Sequence, residues 1–218
     1  MCCASRYINL DDCWQVARRS NGTIIENPAM FPSGMRAIAD AVHARGLKFG
    51  LCKSCTFLDL LRVHAIPRKP EKRCRSDTAH STHTCQRRPG ACQHEAIDAQ
   101  TYCDWNLDYL KIDGCGGCPV ASNVSWSIFR EHFDACAAKT GRYMVESVES
   151  CGSVEGCGQW IAGIANLWRT GGDIQANWYS ILGNAQRNNA MSSVANTHPG
   201  HFNDADVSAA VLSLVCYG

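Results

Sequence analysis

The sequence predicts an α/β fold, specifically a partial (β/α)8 TIM barrel of about six strand–helix units. Six short strand-like runs alternate with helical patterns, which is typical of parallel strands joined by right-handed crossovers. Acidic residues follow the carboxyl ends of several runs, and a barrel or a doubly wound sheet gathers such ends on one face. No glycine-rich fingerprint follows the first strand, so a barrel mouth lined with carboxylates is favoured over a dinucleotide site.

The individual elements follow from local patterns taken in chain order. Strands are predicted at residues 6–10, 47–52, 109–113, 143–148, 167–170 and 200–204. Helices are predicted at residues 33–45, 97–105, 126–140, 156–164 and 178–187. Ser33 could cap the first helix, which has apolar residues at helical spacing and Gly46 as its stop, and Gly141 ends the third. Most of the strands are therefore separated by a helix.

The composition excludes several classes of protein. A chain of 218 residues with 45% apolar residues can build the core of one domain and is not wholly disordered. It has no run of 18 apolar residues, so no membrane span is expected. Its net charge of +1 argues against a general nucleic-acid partner.

Cysteine usage indicates an oxidising compartment. The chain has 15 cysteines, an odd number that leaves at least one without a partner. Glycosylation sequons at Asn21 and Asn123 point to the same compartment. The first residues lack the apolar stretch of a signal peptide, which suggests a missing start. We therefore expect a secreted or a vacuolar or lysosomal location.

One segment breaks the alternation of strands and helices. Residues 53–88 contain nine Lys or Arg against three acidic residues, and a loop of this length is unusual inside a compact domain. We expect an irregular insertion at about 53–82, whose composition is similar to that of a translated intron. A basic binding arm is the alternative, and it predicts salt-dependent binding to polyanions.

Six motifs occur in order along the chain. They are YINLDDCW at 7–14, FPSGM at 31–35, GLKFGL at 46–51, DYLKIDGC at 108–115, WRTGGDI at 168–174 and NDAD at 203–206. Together they resemble the α-galactosidase (melibiase) family of retaining glycoside hydrolases, over residues 6–52 and about 83–206. The resemblance implies a (β/α)8 catalytic barrel, no cofactor or metal, and α-galactoside oligosaccharides or glycoconjugates as substrates.

The resemblance also assigns the two catalytic carboxyl groups. Retention requires a nucleophile and an acid/base about 5 Å apart on opposite sides of the scissile bond. Asp113 matches the family nucleophile, which must stay ionised, and Asp173 matches the acid/base, which needs a raised pKa. Lys111 could favour the ionised form of Asp113. From the residues alone, Asp113 could instead end a strand before the Gly114 turn, and Asp173 could precede another turn.

The remaining site residues are carried over in the same way. The matches to the family's substrate-binding positions are Asp11, Asp12, Trp14, Lys111, Glu149, Arg169 and Asp206. Trp14 could form an apolar wall for the sugar or could belong to the core. Glu149 falls at the position where the family has an acid that faces the 2-hydroxyl of the sugar, which favours galactose over N-acetylgalactosamine. If the register differs, Glu146 is the alternative for this position.

The cysteines near the nucleophile allow two interpretations. By resemblance Cys115 pairs with Cys85, while Cys151 and Cys157 could pair with each other. The alternative is a zinc site from two C-x2-C half-sites, 52–55 and 115–118, although their separation is far from that of a zinc ribbon.

The chain departs from the family in its extent. The first and last barrel strands and the C-terminal β-sandwich are expected to be absent, so that residues 1–218 form one partial catalytic domain. Two alternatives to an α-galactosidase follow: a catalytically dead carbohydrate-binding remnant, and an α-N-acetylgalactosaminidase.

Overall fold

The computed structural model describes residues 6–52, 83–84, 87–113, 118–148, 160–192 and 199–205. The strands are β1 (Tyr7–Leu10), β2 (Gln15–Arg18), β3 (Ile24–Glu26), β4 (Lys48–Cys52), β5 (Tyr109–Ile112), β6 (Val145–Val148), β7 (Leu167–Arg169) and β8 (Phe202–Asp204). The helices are α1 (Gly34–His43), α2 (Glu95–Asp104), α3 (Ser122–Thr140) and α4 (Trp178–Ser192), with a 3-10 turn at Ile161–Gly163. The basic insertion predicted at about 53–82 lies outside the described residues.

Six strands form one parallel sheet in the order β1-β4-β5-β6-β7-β8. All six predicted strands and the α/β class are confirmed. Within this sheet, each strand is parallel to the sheet strand that precedes it in the chain and pairs with it. The helix predicted at 156–164 is a single 3-10 turn within the part that the structure describes. Helices α2 and α3 begin two and four residues earlier than the apolar pattern indicated.

The antiparallel hairpin of β2 and β3 was not predicted from the sequence. Residues 19–23 connect its strands, and the turn dipeptide Asn21-Gly22 was the signal available; Gly22 has a positive φ of 89°, which glycine adopts without steric cost. The hairpin is attached to α2 through Arg18, whose guanidinium donates to both carboxylate oxygens of buried Asp98 at 2.6 and 2.7 Å. The same guanidinium donates to the carbonyl of Gly22.

The core lies between one face of the sheet and the helices. Alternate strand residues point to this face; the fully buried ones are Phe49, Leu51, Leu110, Ile112 and Val148. Helices α1 and α3 cover them with Met35, Ala39, Phe129 and Phe133. Burying each large apolar side chain stabilises the fold by about 1.5–3 kcal/mol, so this face holds the helices to the sheet.

Two disulfides join the segment of α2 to the segment of α3. Cys92, just before α2, is bonded to Cys118, just before α3, and Cys103 in α2 is bonded to Cys136 in α3. Neither pair was predicted. Cys118 belongs to the alternative zinc half-site at 115–118, and its sulfur is bonded to Cys92 instead. The predicted pairs Cys85–Cys115 and Cys151–Cys157 lie outside the described residues.

Among the described helices, none is both long and apolar enough to cross a lipid bilayer.

Candidate active site

The second face of the sheet carries polar side chains, because strand residues alternate between the two faces. Leu110 and Ile112 point to the helices, so Lys111 and Asp113 extend to the opposite side. Cys52, Lys111 and Ser147 stand in register on neighbouring strands, and Arg169 stands in register with Asp204. This inner face therefore places ionisable residues from separate motifs on one surface.

Three of the predicted site residues act electrostatically on the thiol of Cys52. Burial raises the pKa of this thiol well above its usual value, the Lys111 ammonium opposes that shift, and the Asp11 and Asp113 carboxylates add to it. The thiol also forms a hydrogen bond with the Asp11 carboxylate. Asp11, Lys111 and Asp113 thus lie close enough to act electrostatically on one group. Asp113 is almost completely buried, with 4% of its surface exposed.

Tyr109 extends this polar surface along the inner face. Burial raises the pKa of its hydroxyl, and a hydrogen bond with the Ser147 side chain opposes the rise. Lys111 and Asp204 also act on the pKa of Tyr109. A single polar surface therefore runs from β4 across β5 and β6 toward β8.

The turn after β1 orients the paired aspartates. Asp11 Oδ1 accepts a hydrogen bond from the Asp12 amide at 2.8 Å, and Asp12 Oδ1 accepts from the Cys13 amide at 2.7 Å. The Gln15 side chain donates to the same Asp12 oxygen at 3.0 Å. Cys13 has a positive φ of 74°, which redirects the chain away from the sheet. These contacts hold both carboxylates at the carboxyl end of β1.

Of the two roles predicted for Trp14, the structure gives it the core position and not the sugar wall. Its side chain is 1% exposed and contacts the rings of Tyr102 and Trp105 edge-on. Its indole N–H donates to the carbonyl of Cys52 at 3.0 Å, so the polar end of the ring is satisfied inside the protein. This hydrogen bond attaches the indole to Cys52, the last residue of β4.

Asp173 and Arg169 form an ion pair at the carboxyl end of β7. Arg169 donates to Asp173 Oδ1 at 2.8 Å. The two side chains differ in environment, since that of Arg169 is 7% exposed and that of Asp173 is 61% exposed. A buried guanidinium therefore holds an accessible carboxylate at the rim of the inner face.

Helix α4 fixes the loop that carries Asp173, a contribution that the sequence analysis missed. Asn184 donates to the carbonyl of Gly172 at 2.7 Å, and Thr170 donates to the side chain of Asn188 at 3.0 Å. Gly171 has no space for a side chain, because a Cβ there would lie 2.5 Å from Asn184 Oδ1. The signal available was the presence of asparagines inside a helix, where they have low intrinsic propensity.

Glu146 points away from the site. Its carboxyl group is fully buried on the helix-facing side of β6, in register with Leu110. Burial raises the pKa of Glu146 well above its usual value, although the Arg130 guanidinium opposes the shift. Glu146 is therefore not the sugar-facing acid. Its predicted counterpart Glu149 lies outside the described residues, as does Asp206.

Comparison with protein families gives one match across most of the chain. The family model described as Alpha galactosidase A matches residues 3–59 and 75–212.

Several curated proteins are similar over nearly all of this chain. A probable alpha-galactosidase of Dictyostelium discoideum is 34% identical over 203 residues, which are 92% of this chain and 44% of the relative. An alpha-galactosidase of Cyamopsis tetragonoloba is 35% identical over 206 residues, 93% of this chain and 42% of the relative. The human alpha-N-acetylgalactosaminidase is 31% identical over 212 residues, 92% of this chain and 44% of the relative. The chain spans less than half the length of these relatives.

Solved structures agree with the sheet described above. Alpha-galactosidase I from Mortierella vinacea superposes with a TM-score of 0.69 at 26% identity, over 92% of this chain and 49% of that one. The Saccharomyces cerevisiae alpha-galactosidase solved with raffinose superposes with a TM-score of 0.70 at 26% identity, over 92% and 43% of the two chains.

Proposed function

This chain belongs to the alpha-galactosidase family of glycoside hydrolases, and from that premise we propose that it hydrolyses terminal, non-reducing α-D-galactose residues with retention of configuration. The observation that carries the proposal is that Lys111 stands in register with Cys52 on the inner face and that the Asp11 and Asp113 carboxylates lie near the same thiol. Asp173, on the loop after β7, supplies an accessible carboxyl group at the rim.

In the first step the Asp113 carboxylate attacks the anomeric carbon of galactose. A bond forms between that carbon and a carboxylate oxygen, while the bond to the leaving oxygen breaks with inversion. Asp113 suits this role because it is almost completely buried, so few water molecules compete with the sugar for it. The Lys111 ammonium on the same face supplies a positive charge beside the ionised nucleophile.

Asp173 moves the protons of both steps. As a carboxylic acid it protonates the leaving oxygen, and as a carboxylate it then removes a proton from the water that hydrolyses the galactosyl ester. Its exposed position suits both tasks, since the aglycone leaves toward solvent and the water enters from solvent. Arg169 holds the carboxylate in place through the 2.8 Å contact.

The paired aspartates after β1 suit recognition of the sugar. Ionised carboxylates accept strong hydrogen bonds, and galactose offers hydroxyl donors at carbons 4 and 6. Hydrogen bonds from backbone amides fix the orientation of the Asp11 and Asp12 carboxylates at the end of β1. We assign the 2-hydroxyl to Glu149 and a further sugar contact to Asp206.

The substrates that we propose are α-galactoside oligosaccharides or glycoconjugates. The yeast relative solved with raffinose supports an oligosaccharide of this class. The similarity to human alpha-N-acetylgalactosaminidase makes an N-acetylated substrate the second candidate. For the location we propose the secretory route, ending outside the cell or in a vacuole or lysosome, because two disulfides join the segments of α2 and α3.

The test is turnover of an aryl α-galactoside by the full chain and its variants. We expect α-galactose as the first anomer released, no activity in Asp113→Asn, and a loss of about 10²–10⁴-fold in Asp173→Asn. Asp40→Asn is the matched control, because Asp40 is an exposed carboxylate paired with Arg36 on α1 and should leave the rate unchanged.

Three outcomes would contradict the proposal in different ways. Unchanged turnover in Asp113→Asn would refute the assignment of the nucleophile. Galactose binding without any turnover would identify a carbohydrate-binding remnant. Faster hydrolysis of the aryl α-N-acetylgalactosaminide than of the galactoside would identify the second candidate substrate.

A further inference from the structure

The turn of the β2–β3 hairpin presents an exposed asparagine outside the candidate active site. Asn21 lies at the tip of this turn and is followed by Gly22 and Thr23. Its side-chain oxygen accepts a hydrogen bond from the Thr23 amide at 3.1 Å, and the Arg19 amide closes the turn on the carbonyl of Thr23 at 2.8 Å. The turn thus holds the carboxamide of Asn21 close to residue 23.

This arrangement brings together the two groups that define an acceptor for N-linked glycans. Transfer to an Asn-X-Thr sequence requires the asparagine carboxamide and the threonine hydroxyl two residues later. Because the hairpin turn contains no helical hydrogen bonds and its tip is exposed, the acceptor segment can reach a transferase without unfolding of the sheet.

The surroundings of Asn21 leave space for a sugar. A cleft of about 700 Å³ opens beside the turn, between the hairpin and the ends of α2 and α3. Ile97, Val120 and Ile128 line part of it, and His94 lies beside Gly22. An attached N-acetylglucosamine would therefore meet open space and an apolar wall on which its C–H face can pack.

The second sequon of the chain is in a different setting. Asn123 is in the first turn of α3, and the hydroxyl of its sequon belongs to Ser125, which is completely buried. That hydroxyl donates to the Glu95 carboxylate at 2.7 Å. Presenting Asn123 to a transferase would require unwinding of the helix start and loss of this buried hydrogen bond.

We propose that Asn21 carries an N-linked glycan when the chain passes through a secretory pathway and that Asn123 does not. The sugar donor is an oligosaccharide linked to a lipid diphosphate. A bond forms between Asn21 Nδ2 and the sugar C1, the bond from C1 to the diphosphate oxygen breaks, and one amide proton passes to a base of the transferase.

The experiment is site-resolved mass spectrometry of the full chain produced with a signal peptide in a eukaryotic host. Protein from cells and medium is treated with peptide-N-glycosidase in heavy-oxygen water, which marks each formerly glycosylated asparagine. A portion kept in the same water without the enzyme measures the spontaneous deamidation of Asn21-Gly22, which is subtracted from the mark at residue 21. We expect the mark at residue 21 and not at residue 123. Asn21→Gln and Thr23→Ala should each remove one glycan, whereas the exposed Asn123→Gln should leave the mass of the glycan unchanged.

Glycosylation does not depend on turnover, so the result stands apart from that of the hydrolysis experiment. An unmarked Asn21 in the recovered protein would refute the proposal. A mark at Asn123 of equal or greater occupancy would refute the argument that α3 and the Ser125–Glu95 contact protect the second sequon.

Discussion

Gly171 offers a direct test of how the loop after β7 positions Asp173. A methyl group at this position would lie 2.5 Å from Asn184 Oδ1 and 2.7 Å from Asn184 Cγ. Asn184 has little room to withdraw, because it is 3% exposed and donates to the carbonyl of Gly172. Gly171→Ala must therefore displace either the loop or the asparagine.

The expected magnitude follows from these contacts. Inserting a methyl group into a well-packed site costs about 1–3 kcal/mol of folding stability. Loss of the hydrogen bond from Asn184 to Gly172 accounts for about 1 kcal/mol of this. A displacement of about 1 Å at a catalytic group can lower the rate about 10²-fold, so activity should fall by more than stability alone would explain.

Gly172→Ala is the matched control. The atom nearest to a Cβ at residue 172 is an Arg187 nitrogen at 3.9 Å, which is an ordinary van der Waals contact. Neither glycine has a positive φ, so the two substitutions differ only in the space available. This control should change stability by less than about 0.5 kcal/mol.

Urea denaturation and the rate on an aryl α-galactoside measure the two effects. We expect Gly171→Ala to lower both quantities and the double variant Gly171→Ala/Asn184→Ala to regain stability, because the clash is then removed. Equal stability and rate in Gly171→Ala and Gly172→Ala would refute the view that Asn184 positions the loop of Asp173.

Two further substitutions test buried charges. Arg18→Lys should destabilise the fold by about 1.5–3 kcal/mol in urea, because lysine keeps the charge but cannot reproduce the paired guanidinium hydrogen bonds to buried Asp98, while Arg36→Lys on the surface should have little effect. Burial raises the pKa of Glu146, so the folded protein binds the carboxyl proton more tightly than the unfolded chain does. This difference stabilises the folded state at low pH. The stabilisation is lost as the pH rises from the usual carboxyl pKa through the raised pKa of the folded protein. Glu146→Gln should flatten that part of the stability–pH curve, and an unchanged slope above pH 4.5 would contradict the burial of an ionisable carboxyl group.

The sequence by itself determined the order and type of the main elements. All six parallel strands lie where short apolar runs predicted them, and Gly46 and Gly141 follow the helices that they were expected to end. Local spacing carries this information, because the strand and helix periods are properties of a few consecutive residues. The motif order was likewise sufficient to identify the family.

Only the tertiary structure decided which residues meet. The Asn184–Gly172 contact, the Cys103–Cys136 bond and the meeting of Asp11 with Lys111 join residues that are far apart in the chain. No local period reports such pairs, since they depend on the register of the strands and on the path of each crossover.

The same holds for the choice between the two faces of a strand. Glu146 could have faced a sugar as far as its local sequence indicates, yet it is buried. A shift of one residue in register exchanges the two faces of a strand, so its environment was settled only when β5 and β6 paired.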